Sequence, residues 1–333
     1  MKSNFCFRLM QPVACAAMLT CAATSHTYAA TAADKYPDHP VRVIVPFPPG
    51  GGNDLLARAM STRLTESLGQ QFVVDNRGGA GGLIGGQLAA TADRDGYTLF
   101  LGSMGSLAHN PALRPDLPYK PVRDFAGVTL LVTSPFILVV HPGVAATNVR
   151  ELLALARAKP GALNFGSAGV ASSLHLTGEL FKHTTNINIV HVAYKGTAPA
   201  LTDLIAGQVQ MVFSTIAPAL PLVKSGKLRA LGVSTAQRTK GAPDIPTIAE
   251  SGVAGFAVEN WQGIVAPAKT PRAIVDKLNR ELVKITAQPA IIDMFTNQGL
   301  DAVGNTPAQF DKLIRAEIGK WTALVKAASI KVD

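Results

Sequence analysis

Four glycine-rich turns in this chain carry serine, asparagine or aspartate beside their glycines: PFPPGGGND (46 to 54), NRGGAGG (76 to 82), GSMGS (102 to 106) and GSAGVASS (166 to 173). Each follows an apolar run and precedes a segment with helical periodicity. Glycine reaches positive φ and lets the backbone approach a neighbour without an intervening Cβ. The start of a helix presents free N–H groups and the positive end of its dipole. The chemistry these turns offer is therefore anion binding, and a carboxylate suits it without a lysine. Phosphate signatures are missing. The dinucleotide fingerprint that begins at Gly79 and Gly81 needs a third glycine where Ile84 stands, and no G-x-x-x-x-G-K-[ST] loop occurs.

Catalytic spacing is poor. Ser103, Ser167, Ser172 and Ser214 lack a surrounding G-x-S-x-G elbow. His175, His183 and His191 stand eight residues apart, which is not a metal-ligand spacing on one helix face, and all three cysteines (Cys6, Cys15, Cys21) fall near the N-terminus. Asp54 stands alone after GGGN, where a carboxylate favours a helix start through the dipole more readily than it serves as a base. His175 follows the fourth turn, and its ring is either a cleft group or a satisfied, partly buried one. The expectation is a non-enzymatic protein with no cofactor and no metal. A secreted serine hydrolase is the alternative from another class, because a Ser–His pair can assemble in space.

The turns need elements to hold them. VRVIV (41 to 45), FVVD (72 to 75) and YTLFLG (97 to 102) read as strands, with Leu56, Met60, Leu64 and Leu68 stepping along one helix and 83 to 92 forming another. A second α/β set begins at Asn148, whose spacing to Glu151 is that of a capping box. In it LNFG, INIVHV, QMVF and LRALGV alternate with helices at 172 to 183, 198 to 206 and 217 to 225. Thr270-Pro271 and Thr306-Pro307-Ala308-Gln309 read as starts of long helices that return to the first set. SPFILVVHP (134 to 142) and VENWQGIVAP (258 to 267) read as strands crossing between the sets. The expected fold is α/β with two lobes and a ligand cleft between them. Residues 34–133 form the first part of lobe 1, 134–257 form lobe 2, and 258–333 form the return crossing and the C-terminal helices of lobe 1. In open α/β sheets the carboxyl ends of strands face the binding crevice, so the four turns should converge there.

Residues 1–33 read as a cleaved export signal: Lys2 and Arg8, a modestly apolar stretch from Met10 to Ala23, then small residues with cleavage between about 29 and 33. A lipid anchor at Cys21 is disfavoured by Met18, Leu19 and Thr20 before it. The mature chain then has no cysteine and depends on burial alone for stability. Setting Lys2 and Arg8 aside reduces 31 basic residues to 29 against 22 acidic ones, a net charge of +7. The basic residues are scattered and aromatics make up 6% of the chain, so nucleic acid is excluded as a partner. The excess charge can steer anions.

In this order, VPFPPGGGNDLLAR (45 to 58), VVDNRGGAGGLIGG (73 to 86), DGYTLFLG (95 to 102), HVAYKGTAPALTDLIAGQV (191 to 209), SGKLRALGVST (225 to 235), PDIPTIAESG (243 to 252) and APAKTPRAIVDKLN (266 to 279) resemble the Bug-type solute receptors of tripartite tricarboxylate transporters, from about Tyr36 to the C-terminus. The resemblance implies a monomeric periplasmic binding protein of the Venus-flytrap kind, type II-like. It would close on a small organic carboxylate and deliver it to membrane transporter subunits, or report it to a membrane sensor. It also implies a site. Phe47 would be an aromatic lid, with Gly51, Gly52, Asn53 and Asp54 in the first-lobe loop and Ser103 and Met104 on the same lobe. Ser167, Ala168, Ser172 and His175 would present a helix start from the second lobe, with Tyr194, Lys195, Gly196, Ser214 and Thr215 nearby. Lys195 is either a screening surface charge or a contact for a distal carboxylate. Many members resembling this one have an acidic residue where Ser214 stands. Its absence implies a ligand without an α-amino group, unless another residue such as Asp203 supplies the acceptor.

Overall fold

A computed structural model describes residues 35–330; the export-signal reading and the cysteines lie outside the described residues. Ten strands form one mixed sheet in the order β2-β1-β3-β9-β4-β7-β5-β6, with β8 and β10 each also paired to β4. The first half holds β1 (Val41–Val45), α1 (Gly52–Leu68), β2 (Phe72–Asn76), α2 (Leu83–Ala90) and β3 (Thr98–Ser103). A π turn at Gly105–His109 leads into the short helices α3 (Asn110–Leu113) and α4 (Pro121–Asp124). The i+4 pattern read from sequence forms α1. Leu56, Met60 and Leu64 are buried against β1 and β2, and Gly69 at φ 74 ends the helix by donating its N–H to Thr65 O.

The second half holds α5 (Val149–Ala158), β5 (Asn164–Ser167), α6 (Ser173–Thr185), β6 (Val190–Ala193), α7 (Thr197–Ile205), β7 (Met211–Thr215), α8 (Ile216–Lys224) and β8 (Arg229–Val233). Asn148 caps α5 as its spacing to Glu151 predicts: Asn148 Oδ1 accepts from Glu151 N at 3.0 Å, and Asn148 Nδ2 donates to Glu151 Oε1 at 2.8 Å. The chain then returns through β9 (Glu259–Pro267), α9 (Arg272–Thr286), α10 (Pro289–Asn297), β10 (Asp301–Ala302) and α11 (Pro307–Ala327). Thr306 and Gln309 close a reciprocal capping box at the start of α11. Leu278 and Leu282 of α9 pack in the core beneath α1 and β1, while Phe310 and Trp321 of α11 pack on the opposite face of the sheet.

The strand β4 (Phe125–Val140) joins the halves and is longer than its sequence suggests. The crossing strand read from the sequence begins at Ser134, although GVTLLVT just before it is apolar as well. That earlier part carries Gly127 and Thr129 and pairs across two irregularities of register. Phe125–Pro135 pair with β9, whereas Phe136–Val140 pair with β7, and Ile137–Val140 pair with β8 on the other edge. Ser103 at the end of β3 faces Gln262 near the start of β9, and Thr215 at the end of β7 faces Phe136. The carboxyl ends of both parallel sets therefore stop beside the crossing, where a crevice is expected.

Ser234, fully buried, stitches the two crossings together. Its N–H donates to Phe136 O (2.8 Å), and its Oγ accepts from Phe136 N (2.9 Å) and donates to Val258 O (2.5 Å). Its carbonyl accepts from Val258 N at 2.8 Å. The side chain and the backbone N–H and C=O of one residue thus bridge the outgoing and returning strands.

Candidate functional site

A cleft of ≈ 490 Å³ opens between the halves. Phe47, Gly81, Gly105, His109, Asn110, Leu113 and Arg114 form one wall; Val170 to Ser173 form the other. Each wall has a local cause. On the second, the chain leaves β5, turns at Gly169 (φ 130) and Ala171 (φ 62), and enters α6 through Ser172, whose Oγ accepts from His175 N at 3.2 Å. The start of this thirteen-residue helix thus faces the cleft with two hydroxyls, Ser172 and Ser173. On the first, Asn110 Nδ2 donates to Gly81 O at 3.1 Å, tying the segment after β3 to the NRGGAGG turn. That turn in turn lies against the first: a Cβ on Gly82 would stand 3.2 Å from Pro46 Cβ, and one on Gly85 would stand 3.0 Å from Arg77 O and Pro46 Cα.

The walls meet where Ser173 Oγ and His109 Nδ1 are 3.3 Å apart. The His109 ring is buried and set edge-on to Trp321, and its Nε2 has no partner among the described residues. Burial first, and the nearby Lys320 charge second, lower its pKa to about 3, so the ring is neutral at pH 7.

Of the residues expected from sequence, Phe47 and Ser172 border the cleft. Gly51 and Gly52 are exposed at the start of α1, with space rather than protein where a Cβ would point, except Pro48 O at 3.9 Å from Gly51. Asn53 Oδ1 is buried without a partner among the described residues. Asp54 is buried, and its Oδ2 accepts from Gly50 N (3.0 Å) and Arg58 Nε (2.9 Å). Arg58, followed by the Gly50 N–H, lowers its pKa to about 2. It is the brace of its own loop. Ser103 exchanges hydrogen bonds with Ser106, and Met104 is packed within the core with Leu107.

Ser167 is fully buried, with Oγ 2.7 Å from His191 Nε2, donating to Gly169 O and accepting from Gly169 N, both at 3.1 Å. His191 stacks on His175 with centroids 3.9 Å apart, and His175 Nδ1 accepts from Ala171 N. Both rings have pKa values lowered to about 4. Burial is the main cause; His191 and Lys182 add to it at His175, and Lys182 at His191. Ala168 O accepts from Gly196 N (3.2 Å), and Tyr194 OH donates to Asp203 Oδ2 at 2.9 Å. Lys195 is exposed. Ser214 is fully buried and donates to Thr215 O at 2.9 Å, and Thr215 precedes α8; neither borders the cleft, nor does Asp203.

Sequence reasoning missed His109, Asn110 and Arg114, and it included Ser173 only as the last residue of the GSAGVASS turn. The signal for the first three was the stretch LAHNPALRP directly after GSMGS: a histidine, an Asn-Pro helix start and an arginine within one short segment. A second cavity of ≈ 400 Å³, lined by Arg238, Thr239 and Asp301, is a weaker candidate because Arg238 pairs with Glu250 and Thr239 bonds Asp301.

The sequence and the fold both have relatives among known proteins. Residues 56–330 match the pattern described as tripartite tricarboxylate transporter family receptor. The chain belongs to that family. Protein BugT of Bordetella pertussis is 37% identical over 311 residues, 93% of this chain and 95% of its own length. A Rhodopseudomonas palustris protein solved with adipate is 35% identical with a TM-score of 0.76, covering 89% of this chain and 99% of the other. MatC from the same organism, solved with malate, is 32% identical with a TM-score of 0.72, covering 87% and 100%. This receptor is accordingly a two-lobed α/β solute-binding protein. No helix among its described residues is long and apolar enough to cross a membrane.

Proposed function

We propose that this receptor is exported, binds a small organic carboxylate between its lobes as a monomer, and delivers it to the membrane subunits of a tripartite transporter. The observation that carries the reading is the composition of the cleft. It offers two serine hydroxyls at a helix start, a neutral histidine and one arginine, and no Asp or Glu among the described residues that border it. Such a set suits an anion. The relatives solved with adipate and malate support a carboxylate as the ligand class. Ser167 and His191 are the Ser–His pair that a hydrolase would need, yet Ser167 is fully buried and its Oγ is already engaged by Gly169, which favours a structural role.

Thermal unfolding with a panel of mono-, di- and tricarboxylates tests the proposal. A ligand at a hundredfold excess over Kd stabilises the folded state by about 2.7 kcal/mol, a shift of several degrees in Tm. A panel that leaves Tm unmoved counts against the receptor reading. Turnover of an ester panel by the purified protein would restore the hydrolase. Size-exclusion with light scattering checks the monomer.

A further inference from the structure

Arg114 differs from the other arginines. Arg94, Arg150, Arg280 and Arg315 also lack a hydrogen bond or ion pair among the described residues, but all four are exposed; Arg114 is half-buried. A guanidinium removed from part of its hydration without a partner is held at a cost, and a planar carboxylate relieves it with two parallel N–H donors. Among the described residues Arg114 is the one Lys or Arg that borders the cleft, and none of the Asp or Glu side chains among them borders it. Apolar surface from Phe47, Leu113 and Val170 borders the same cavity. The α6 start on the other wall supplies neutral donors, with the buried His109 Nε2, which has no partner among the described residues, as a further polar atom.

Resting on the receptor reading above, we propose that the ligand is an unbranched α,ω-dicarboxylate without an ammonium group. One carboxylate lies against the start of α6, the methylene chain crosses the apolar middle, and Arg114 takes the second carboxylate. Arg114 is thus the residue that selects two-ended over one-ended acids. Ligands bearing an ammonium are rejected because no acidic side chain among the described residues borders the cleft to receive it.

Calorimetry on the mature protein tests this with the series from succinate to suberate, with butyrate to octanoate as one-ended controls and with glutamate as the amino-bearing control. Wild type should bind one or more of the dicarboxylates at least tenfold more tightly than the matching monocarboxylate, and glutamate more weakly than glutarate. Arg114→Gln should lose roughly ten- to hundredfold in dicarboxylate affinity while its monocarboxylate affinity stays within about twofold of wild type. Arg114→Lys, which keeps the charge without the fork, should fall between. Unchanged Tm of the unliganded variants confirms that the fold is intact. If Arg114→Gln binds dicarboxylates like wild type, the guanidinium serves the surface groove of Pro115 and Tyr119, which it also borders, and the proposal is overturned while the receptor reading stands. An equal loss for both ligand classes overturns the two-ended arrangement. A wild-type protein that binds no carboxylate at all overturns both readings.

Discussion

The two walls of the cleft are rigid for different reasons. The first is held by close backbone approach: the NRGGAGG turn lies so tightly on Pro46 that Gly82 and Gly85 have no room for a Cβ, and an ionised Asp54 pulls Gly50 N and Arg58 together at the loop's end. The second is held by a polar stack in which His175 and His191, both neutral, support Ser167 and the entry to α6. Even within the first wall the glycines divide. Those of NRGGAGG meet protein, whereas Gly51 and Gly52 of PFPPGGGND meet space. The same residue type therefore serves packing in one turn and leaves an approach open in the other.

The largest expected effect is where the walls are joined. Ser234→Ala leaves Phe136 N without its acceptor and removes the donor to Val258 O, both beside a buried residue. At about 1–3 kcal/mol for each unsatisfied buried group, the stability lost should be about 3 kcal/mol, read by urea unfolding. A loss below about 0.5 kcal/mol would mean that the crossings do not depend on this bridge.

The contrast between glycines comes next. Gly85→Ala forces a Cβ against Arg77 O and Pro46 Cα and should cost about 1–3 kcal/mol. Gly51→Ala, at φ −82 with only Pro48 O nearby, should change stability by less than about 0.5 kcal/mol. Equal melting shifts for the two variants would erase the distinction.

Acid should distinguish the walls as well. A histidine whose folded pKa is lowered contributes stability in full above its unfolded value near 6.5, and loses it as pH falls towards the folded value. For His175 and His191 that window runs from about 6.5 down to about 4. Asp54, lowered to about 2, keeps its contribution until pH drops below 3.8. His109 on the first wall, lowered to about 3, adds to the same decline, so the difference between proteins is the readout. His191→Gln should flatten the dependence of Tm on pH between 6.5 and 4 relative to wild type. A parallel curve would show that the stack does not resist protonation. The smallest effect is expected at Lys195, which is exposed and borders neither wall of the cleft: Lys195→Ala should change dicarboxylate affinity by less than about threefold, from lost long-range attraction alone.

Periodicity and local chemistry were enough to read the elements. The i+4 leucines of α1, the Asn148–Glu151 cap and the Thr306–Gln309 box all involve residues within four positions of each other, so their spacing is visible in a linear string. The family could be read as well, because its motifs run in register along the chain. The extent of β4 could not. Its first half is a strand because β9, more than a hundred residues later, pairs with it across two irregularities.

The same division separates the determinants of the site. By itself the sequence determined that glycine turns end the strands of two α/β sets and that a helix starts at Ser172, since φ preference and capping are properties of neighbouring residues. Only the tertiary structure decided which turn residues face the cleft. Met104 and Ser214 were drawn into packed or self-bonded positions, while Arg114 and His109, several residues beyond the turn that announced them, border the cavity. The direction of a side chain at the end of a strand depends on what packs beneath it. Here that is decided by Leu107, Trp321 and the crossing strands, partners that meet only when the chain returns.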